Sequence, residues 1–294
     1  MKKLVLLFVL VVIAITLYRA DDKARDGFSP SRIASIFPDD PKWDIAVTQE
    51  QVATANQALN QPYSYLGHGF QCYAFVSLDD NYVLKFIRQQ RLQPPFFLSW
   101  STARVEAGKK RANYLFRSLK VAFEDVPEET GLLLVHLNKT KNSHPAVAIT
   151  DKAGNHYTVA LDEHEFVLQK KALPIKETLS QLMQEGKIDE AKARIDQIFC
   201  LLTTCAQKGI ADLDNQLIRK NNLGFLADSC IYIDTGKITR KESIKTMPRF
   251  LQDLKRLDPL YSWLEERYPE LAQHFLKVKE CQISAFDSMK ESSV

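Results

Sequence analysis

The apolar residues of this chain change period once, near Ile175, and that change limits the folds it can adopt. Upstream, runs rich in β-branched and aromatic residues alternate as strands do, at 63–66, 72–78 and 82–88 and again in "GLLLVHLN", "PAVAIT", "HYTVALD" and "EFVLQKK". Downstream, Ile175, Leu179 and Leu182 mark a helix that Gly186 closes. Ala191, Ile195, Ile198, Leu202 and Cys205 then step by 4, 3, 4 and 3 along a longer one. Leu251, Leu254, Leu257, Leu264, Leu271 and Phe275 keep residues 248–286 helical, and two short strands at 223–226 and 230–233 interrupt the helices. Strands first and helices second predict an α+β fold in two parts.

Within the first part, the three leading strands read as an antiparallel meander with a tight turn at Asp79-Asp80-Asn81, ended by Pro94 and Pro95. A helix is expected from Ser99 to Ala122, with Ser99 or Ser101 as its N-cap and Pro127 beyond its end. Residues 1–20 carry Lys2 and Lys3, then an unbroken apolar run from Leu4 to Tyr18, the layout of a signal peptide or a membrane anchor. Tyr18 stands where a cleavage site wants a small residue, which favours an uncleaved anchor. Arg19, Lys23 and Arg25 on the far flank leave its orientation open. Residues 21–57, polar with Pro30, Pro38 and Pro41, read as a linker with a short helix, and residues 287–294 as a tail.

The net charge of +3 over 294 residues is small and not gathered into a block, so nucleic acid is not an expected partner. Five scattered cysteines, with no Cys-x-x-Cys, read as buried reduced thiols rather than a zinc site or a disulfide framework. The histidines show no metal spacing and receive no role.

Four pieces of the sequence carry chemistry, in one order. Gly67 and Gly69 in "LGHGFQCYAF" give a strand-turn-strand whose backbone N–H groups can approach phosphates, or a plain hairpin turn. Lys85 sits in the middle of the apolar strand "YVLKFI", where the alternative is an edge lysine facing water. Asp212, Asp214 and Asn222 follow the long helix in "IADLDNQLIRKNNLGF". "IYIDTGKI" then ends a buried strand on Asp234, either as a turn or as a metal ligand.

In that order these pieces resemble the protein-kinase-like superfamily, over residues 60–240. The resemblance implies a two-lobed fold after an N-terminal hydrophobic helix, with a mostly antiparallel β N-lobe at 58–171 and a mostly α C-lobe at 172–286. It also implies ATP and Mg²⁺ as cofactors. Gly67 and Gly69 would cover the phosphates, Lys85 would pair with them, and Glu106, or less well Glu124, would hold Lys85. Asn222 and Asp234 would hold the metal through hard oxygen ligands, Asp212 or Asp214 would be the catalytic base, and the backbone of Phe166 to Lys171 would meet the adenine.

Several residues depart from the family pattern. Cys72 replaces the third loop glycine, Ile210 and Ala211 stand where the family has His and Arg, and Thr235 replaces the Phe of Asp-Phe-Gly. Asp212 lies ten residues before Asn222, against five in the signature. No Ala-Pro-Glu segment follows. These differences point toward divergent bacterial kinase-like proteins, including small-molecule phosphotransferases. They leave open a pseudokinase scaffold that binds nucleotide without turnover, and a membrane-tethered interaction protein unrelated to kinases. The phosphate acceptor, a protein or a small molecule, is not specified.

Overall fold

The computed structural model describes residues 2–94, 100–218 and 222–291, so Pro95, Ser99 and the last residues of the tail fall outside the described residues. The chain is α+β. It divides into two compact units, Met1–Ala112 with Leu134–Leu168, and Asn113–Leu133 with Gln169–Val294.

The first unit is built on a mixed sheet. Strands β1 (Tyr63–His68), β2 (Cys72–Ser77) and β3 (Tyr82–Ile87) form the expected antiparallel meander. Its tight turn is held by Asp79, whose Oδ1 accepts from Ser77 Oγ at 2.6 Å and from the Asn81 N–H at 3.1 Å. The Ser77 hydroxyl, with further amide donors, draws the Asp79 carboxyl down to about 2. Strands β4 (Leu132–His136), β5 (Ala146–Thr150), β6 (His156–Ala160) and β7 (Phe166–Lys170) complete a seven-stranded sheet in the order β4-β7-β3-β2-β1-β5-β6. β5 joins β1 in parallel, Tyr63 opposite Ile149, which makes the sheet mixed rather than antiparallel throughout.

Helix α1 (Lys2–Ala24) precedes this sheet and is long and apolar enough to cross a membrane. Residues 21–57, expected to be a linker with a short helix, hold most of α2 (Gln49–Leu59), capped by a reciprocal Thr48–Gln51 box, and ahead of it two fully buried large apolar side chains, Phe28 and Ile33. Phe28 meets Tyr73, Phe75 and Tyr157 edge-on at centroid distances of 5.3, 5.1 and 5.8 Å. One aromatic side chain, unremarkable among polar neighbours in the sequence, thus anchors the segment to the sheet.

Helix α3 (Thr102–Asp125) follows Ser101, whose carbonyl accepts the Val105 N–H at 3.1 Å, and runs three residues past the expected end at Ala122. Its Gly108 lies against the backbone of residue 92. A Cβ there would stand 2.1 Å from the Leu92 carbonyl oxygen, so this helix approaches the chain more closely than any side chain permits.

In the second unit, α6 (Ile188–Gln207) is the central element, with Ile195, Ile198 and Phe199 fully buried. It packs against α5 (Ile175–Gln184) and α9 (Pro269–Glu291), where Phe199 and Phe275 meet at 4.8 Å. The chain leaves α6 through Gly209 at φ +73°, a left-handed conformation that stops the helix. α4 (Pro127–Thr130), α7 (Met247–Leu254) and α8 (Asp258–Arg267) complete the helices. Two small sheets accompany them. β10 (Leu223–Phe225) pairs with β11 (Cys230–Tyr232) and β8 (Leu173–Pro174), and β9 (Ile210–Asp212) pairs with β12 (Ile238–Arg240). The second ladder was not expected, because Ile210-Ala211-Asp212 and Ile238-Thr239-Arg240 each run into charged residues and lack the continuous apolar run that marks β10 and β11. None of the five cysteines forms a disulfide, but only Cys205 and Cys230 are buried as expected, with Cys72 half-buried and Cys200 and Cys281 exposed on helix surfaces.

Glu165, just before β7, is a buried carboxyl held by Ser35 Oγ at 2.6 Å and Gln89 Nε2 at 2.7 Å. Burial raises its pKa above the ordinary glutamate value, against the pull of these donors. A carboxyl raised on folding stabilises the fold below its unfolded pKa, about 4.3, and loses that contribution as pH rises through the folded value. Glu165→Gln, which cannot ionise, is therefore expected to gain stability over wild type as pH rises from 4 to 8, measured by urea unfolding. A constant difference across that range would contradict this account of Glu165.

Candidate functional site

The predicted site residues fall into two groups, one in each unit. In the first unit, Gly67 lies opposite Ala74, and Ala74 opposite Lys85, so the three form a row across β1, β2 and β3. Two strand spacings separate Gly67 from Lys85, about 9–10 Å between backbones. Directly opposed residues share a face, and this face, with Val76 and Lys85 half-exposed, is the less buried side of the meander. A β-bulge shifts the register between Tyr65 and Gly67. A Cβ built at Gly67 or Gly69 would meet no described heavy atom within 4 Å.

The loop is held from below. Arg88, buried at the end of β3, donates to the Gly69 carbonyl at 2.6 Å and contacts His68 Nδ1 at 2.8 Å, with its guanidinium 4.7 Å from the Tyr73 ring centroid. Sequence reading missed Arg88, since a strand-end arginine ordinarily reaches solvent. Glu106, on α3, is exposed and pairs with Lys109 at 3.0 Å. Glu124, the weaker alternative, belongs to the second unit, where it lies 3.7 Å from both Lys120 and Arg240.

In the second unit, the structure brings Asp212 and Asp214 together around one guanidinium. Asp212 ends β9, is 5% exposed, and accepts the Asp214 N–H on Oδ1 at 3.0 Å and Arg256 on Oδ2. Arg256 also donates to the Asp214 carbonyl at 2.7 Å and to Asp253 Oδ1 at 2.8 Å. Burial pushes the Asp212 carboxyl up to about 6, with Arg256 opposing the rise. The Asp214 carboxylate points elsewhere, accepting the Gln216 N–H at 2.9 Å and Lys237 Nζ at 3.1 Å, and Lys237 is partly exposed.

Asn222 and Asp234 are placed by the β10–β11 hairpin. Leu223 opposes Tyr232, and the Ile233 N–H donates to the Asn222 carbonyl at 2.7 Å, so Asn222 stands across the ladder from the residue before Asp234. Asp234 Oδ1 caps the Gly236 N–H at 3.0 Å, the turn expected of Asp-Thr-Gly. Thr235 behind it is buried, with its carbonyl bonded by Ser118 Oγ at 2.6 Å. Asn222 is 5% exposed, and its Nδ2 has no hydrogen-bond partner among the described residues. A buried amide with an unpartnered nitrogen, one ladder position from a carboxylate-bearing turn, is of the residue types that hold an oxygen-liganded cation.

The backbone of 166–171 is the strand β7 and its exit, and the division between the two units falls inside it, between Leu168 and Gln169. Within the second unit, buried Gln169 donates to the carbonyls of Thr130 and Tyr232 at 2.6 and 2.9 Å, which fixes the hairpin's outer strand.

No family model matches the chain, and no curated protein matches it. Among solved structures, the bifunctional kinase-methyltransferase WbdD is similar at 16% identity and a TM-score of 0.37, covering 71% of this chain and 43% of that one. The chain thus spans less than half the length of that protein.

Arg256 is the partner of two buried carboxylates at once. Removing one member of a buried ion pair leaves an uncompensated charge and costs about 3–5 kcal/mol. Arg256→Met is expected to lose stability on that scale in urea unfolding. Arg256→Lys, which keeps the charge but not the planar fork, should lose a substantial part of it. A loss below about 1 kcal/mol for Arg256→Met would refute the role given to this residue.

Proposed function

We propose that the chain is a phosphotransferase of the two-lobed kinase-like type, moving a phosphoryl group from ATP to a hydroxyl of a protein or small molecule. The observation that supports the reading is Asn222, whose buried amide nitrogen is unpartnered among the described residues, standing across the hairpin from Ile233, one residue before Asp234. In this reading Asn222 and Asp234 hold Mg²⁺, which supplies charge neutralisation at the phosphates when bound. Lys85 pairs with the phosphates, and the open backbone at Gly67 and Gly69 covers them. Asp214 is the base and Asp212 a positioning residue. Asp212 spends both oxygens on Arg256 and the Asp214 backbone, whereas Asp214 faces a partly exposed lysine. Lys237 Nζ, 3.1 Å from Asp214 Oδ2, would orient that carboxylate toward the hydroxyl it serves.

A pseudokinase is the second reading. It is favoured by the engagement of both oxygens of Asp214 with protein donors, Gln216 N–H and Lys237. In either case α1 serves as a membrane anchor, and the domain must face a compartment that contains nucleotide.

The test is a thermal-shift titration of the full chain in detergent with ATP, with and without Mg²⁺, followed by a phosphate-release assay. A ligand held only by the folded state stabilises by about 2.7 kcal/mol at a hundredfold above its Kd. The shift is expected to need Mg²⁺ and to disappear in Asp234→Ala. Asp214→Asn should keep the shift and lose turnover by about 10²–10⁴-fold. Binding without turnover in wild type would establish the pseudokinase, and no shift with any nucleotide would sink both readings.

A further inference from the structure

The first unit brings together three side chains that no sequence spacing links. His136 ends β4, His144 precedes β5, and Asp162 lies between β6 and β7, separated by 8 and 18 residues in the chain. One ligand atom from each lies within 4.8 Å of the other two.

Both imidazoles are oriented by their outer partners. His136 Nδ1 lies 2.7 Å from the His164 carbonyl oxygen. A carbonyl only accepts, so Nδ1 carries the proton and Nε2 presents a lone pair. Asn56 does the same for His144. Its Nδ2 donates to the Ser143 carbonyl at 3.2 Å, which leaves Oδ1 facing His144 Nδ1 at 3.3 Å. His144 Nδ1 is therefore the protonated nitrogen, and its Nε2 is also a lone pair. A ring nitrogen donating outward to a carbonyl or amide oxygen, with the other turned inward, is the usual setting of a metal-binding histidine.

The inward side has more acceptors than protons. His136 Nε2 lies 3.1 Å from Thr140 Oγ1, and Thr140 Oγ1 also contacts Asp162 Oδ1. One hydroxyl proton serves both, so one acceptor is left without a donor. Asp162 Oδ1 accepts the backbone N–H groups of His144 at 3.2 Å and Ser143 at 3.3 Å, and Oδ2 accepts that of Ser143 at 3.3 Å. Two imidazoles and a carboxylate thus each offer one ligand atom to a common point.

We propose that His136, His144 and Asp162 bind one divalent transition-metal ion of the zinc class, through two imidazole nitrogens and one carboxylate oxygen. Three atoms no more than 4.8 Å apart share a centre within about 2.8 Å of each, against bonds of about 2.0–2.2 Å, so the ligands close by less than about 1 Å. Imidazole ligands select against Mg²⁺ and Ca²⁺. The ion would tie the end of β4 to the start of β5 and to the β6–β7 connection. Asp162 and Thr140 also line an open surface cleft with Lys139 and Lys141, which gives the ion a route in and a side open to water.

The test uses the full chain after chelator treatment, in a Cys200→Ser, Cys281→Ser background so that exposed thiols do not compete. Titration with Zn²⁺ by calorimetry, and with Co²⁺ by its visible absorption, should give one ion per chain and a rise in melting temperature. His144→Ala and Asp162→Asn, both at half-exposed positions, should each weaken binding at least a hundredfold while the circular dichroism spectrum stays native. His136→Gln, at the buried position, should abolish it. No saturable binding, or variants that bind Zn²⁺ as tightly as the background protein, would overturn the proposal. Neither readout involves nucleotide, so this site and the phosphotransferase reading stand or fall separately.

Discussion

The Arg256 guanidinium, buried between Asp212 and Asp253, is the interaction on which the second unit's site geometry depends. It bonds a strand end, a loop carbonyl and a helix at once, and so relates β9, the Asp214 loop and α7. Desolvating three charges makes such a cluster a poor source of net stability, and apolar residues of the same volume would do as well or better. What the cluster gives is a unique arrangement. A carboxylate with two committed oxygens cannot rotate, and the loop that follows it inherits that order. The β9–β12 ladder extends the effect, because Leu213 N–H bonds the Lys237 carbonyl at 3.0 Å and brings Lys237 to Asp214.

The elements were legible wherever a segment had one periodic face. Strands β1, β2 and β3 fall within two residues of their expected bounds, and α6 carries all five of the apolar positions read from its spacing as buried residues. The parallel β1–β5 pair was not legible, since strand order depends on which edge a returning strand finds, and that is decided by non-local packing. Nor was the β9–β12 ladder, because both of its strands run into charged residues and lack a continuous apolar run. The polarity of residues 21–57 suggested a linker because composition averages over a segment, whereas Phe28 and Ile33 are anchors acting singly.

The candidate site residues stood out in the sequence by type and order, and the partners the fold gives them did not. Asp212, Asp214, Asn222 and Asp234 stood out as polar residues in apolar surroundings. Arg256 did not, since its sequence context of Lys255, Arg256 and Asp258 reads as a solvated helix surface. The histidine group was invisible for a related reason. Metal spacings are recognisable when ligands share a helix turn or a tight loop. Here three ligands come from three different strand ends and meet only after the sheet has formed.

The two candidate cation sites differ in hardness, and this decides which ion each would take. Asn222 and Asp234 offer amide and carboxylate oxygens, which suit an ion that keeps much of its water, as Mg²⁺ does. His136, His144 and Asp162 offer two nitrogens and one oxygen, for which Mg²⁺ has little affinity and Zn²⁺ a strong one. A chain with both would sort the two ions by ligand chemistry alone. The sites lie in different units and are built differently. The two histidines are oriented by a backbone carbonyl and an amide oxygen before any ion arrives, whereas Asn222 has an amide nitrogen without a partner among the described residues. A preoriented site binds with little reorganisation and suits a resident, structural ion. A site with a half-satisfied amide is completed by whatever brings the ion with it, as a nucleotide brings Mg²⁺.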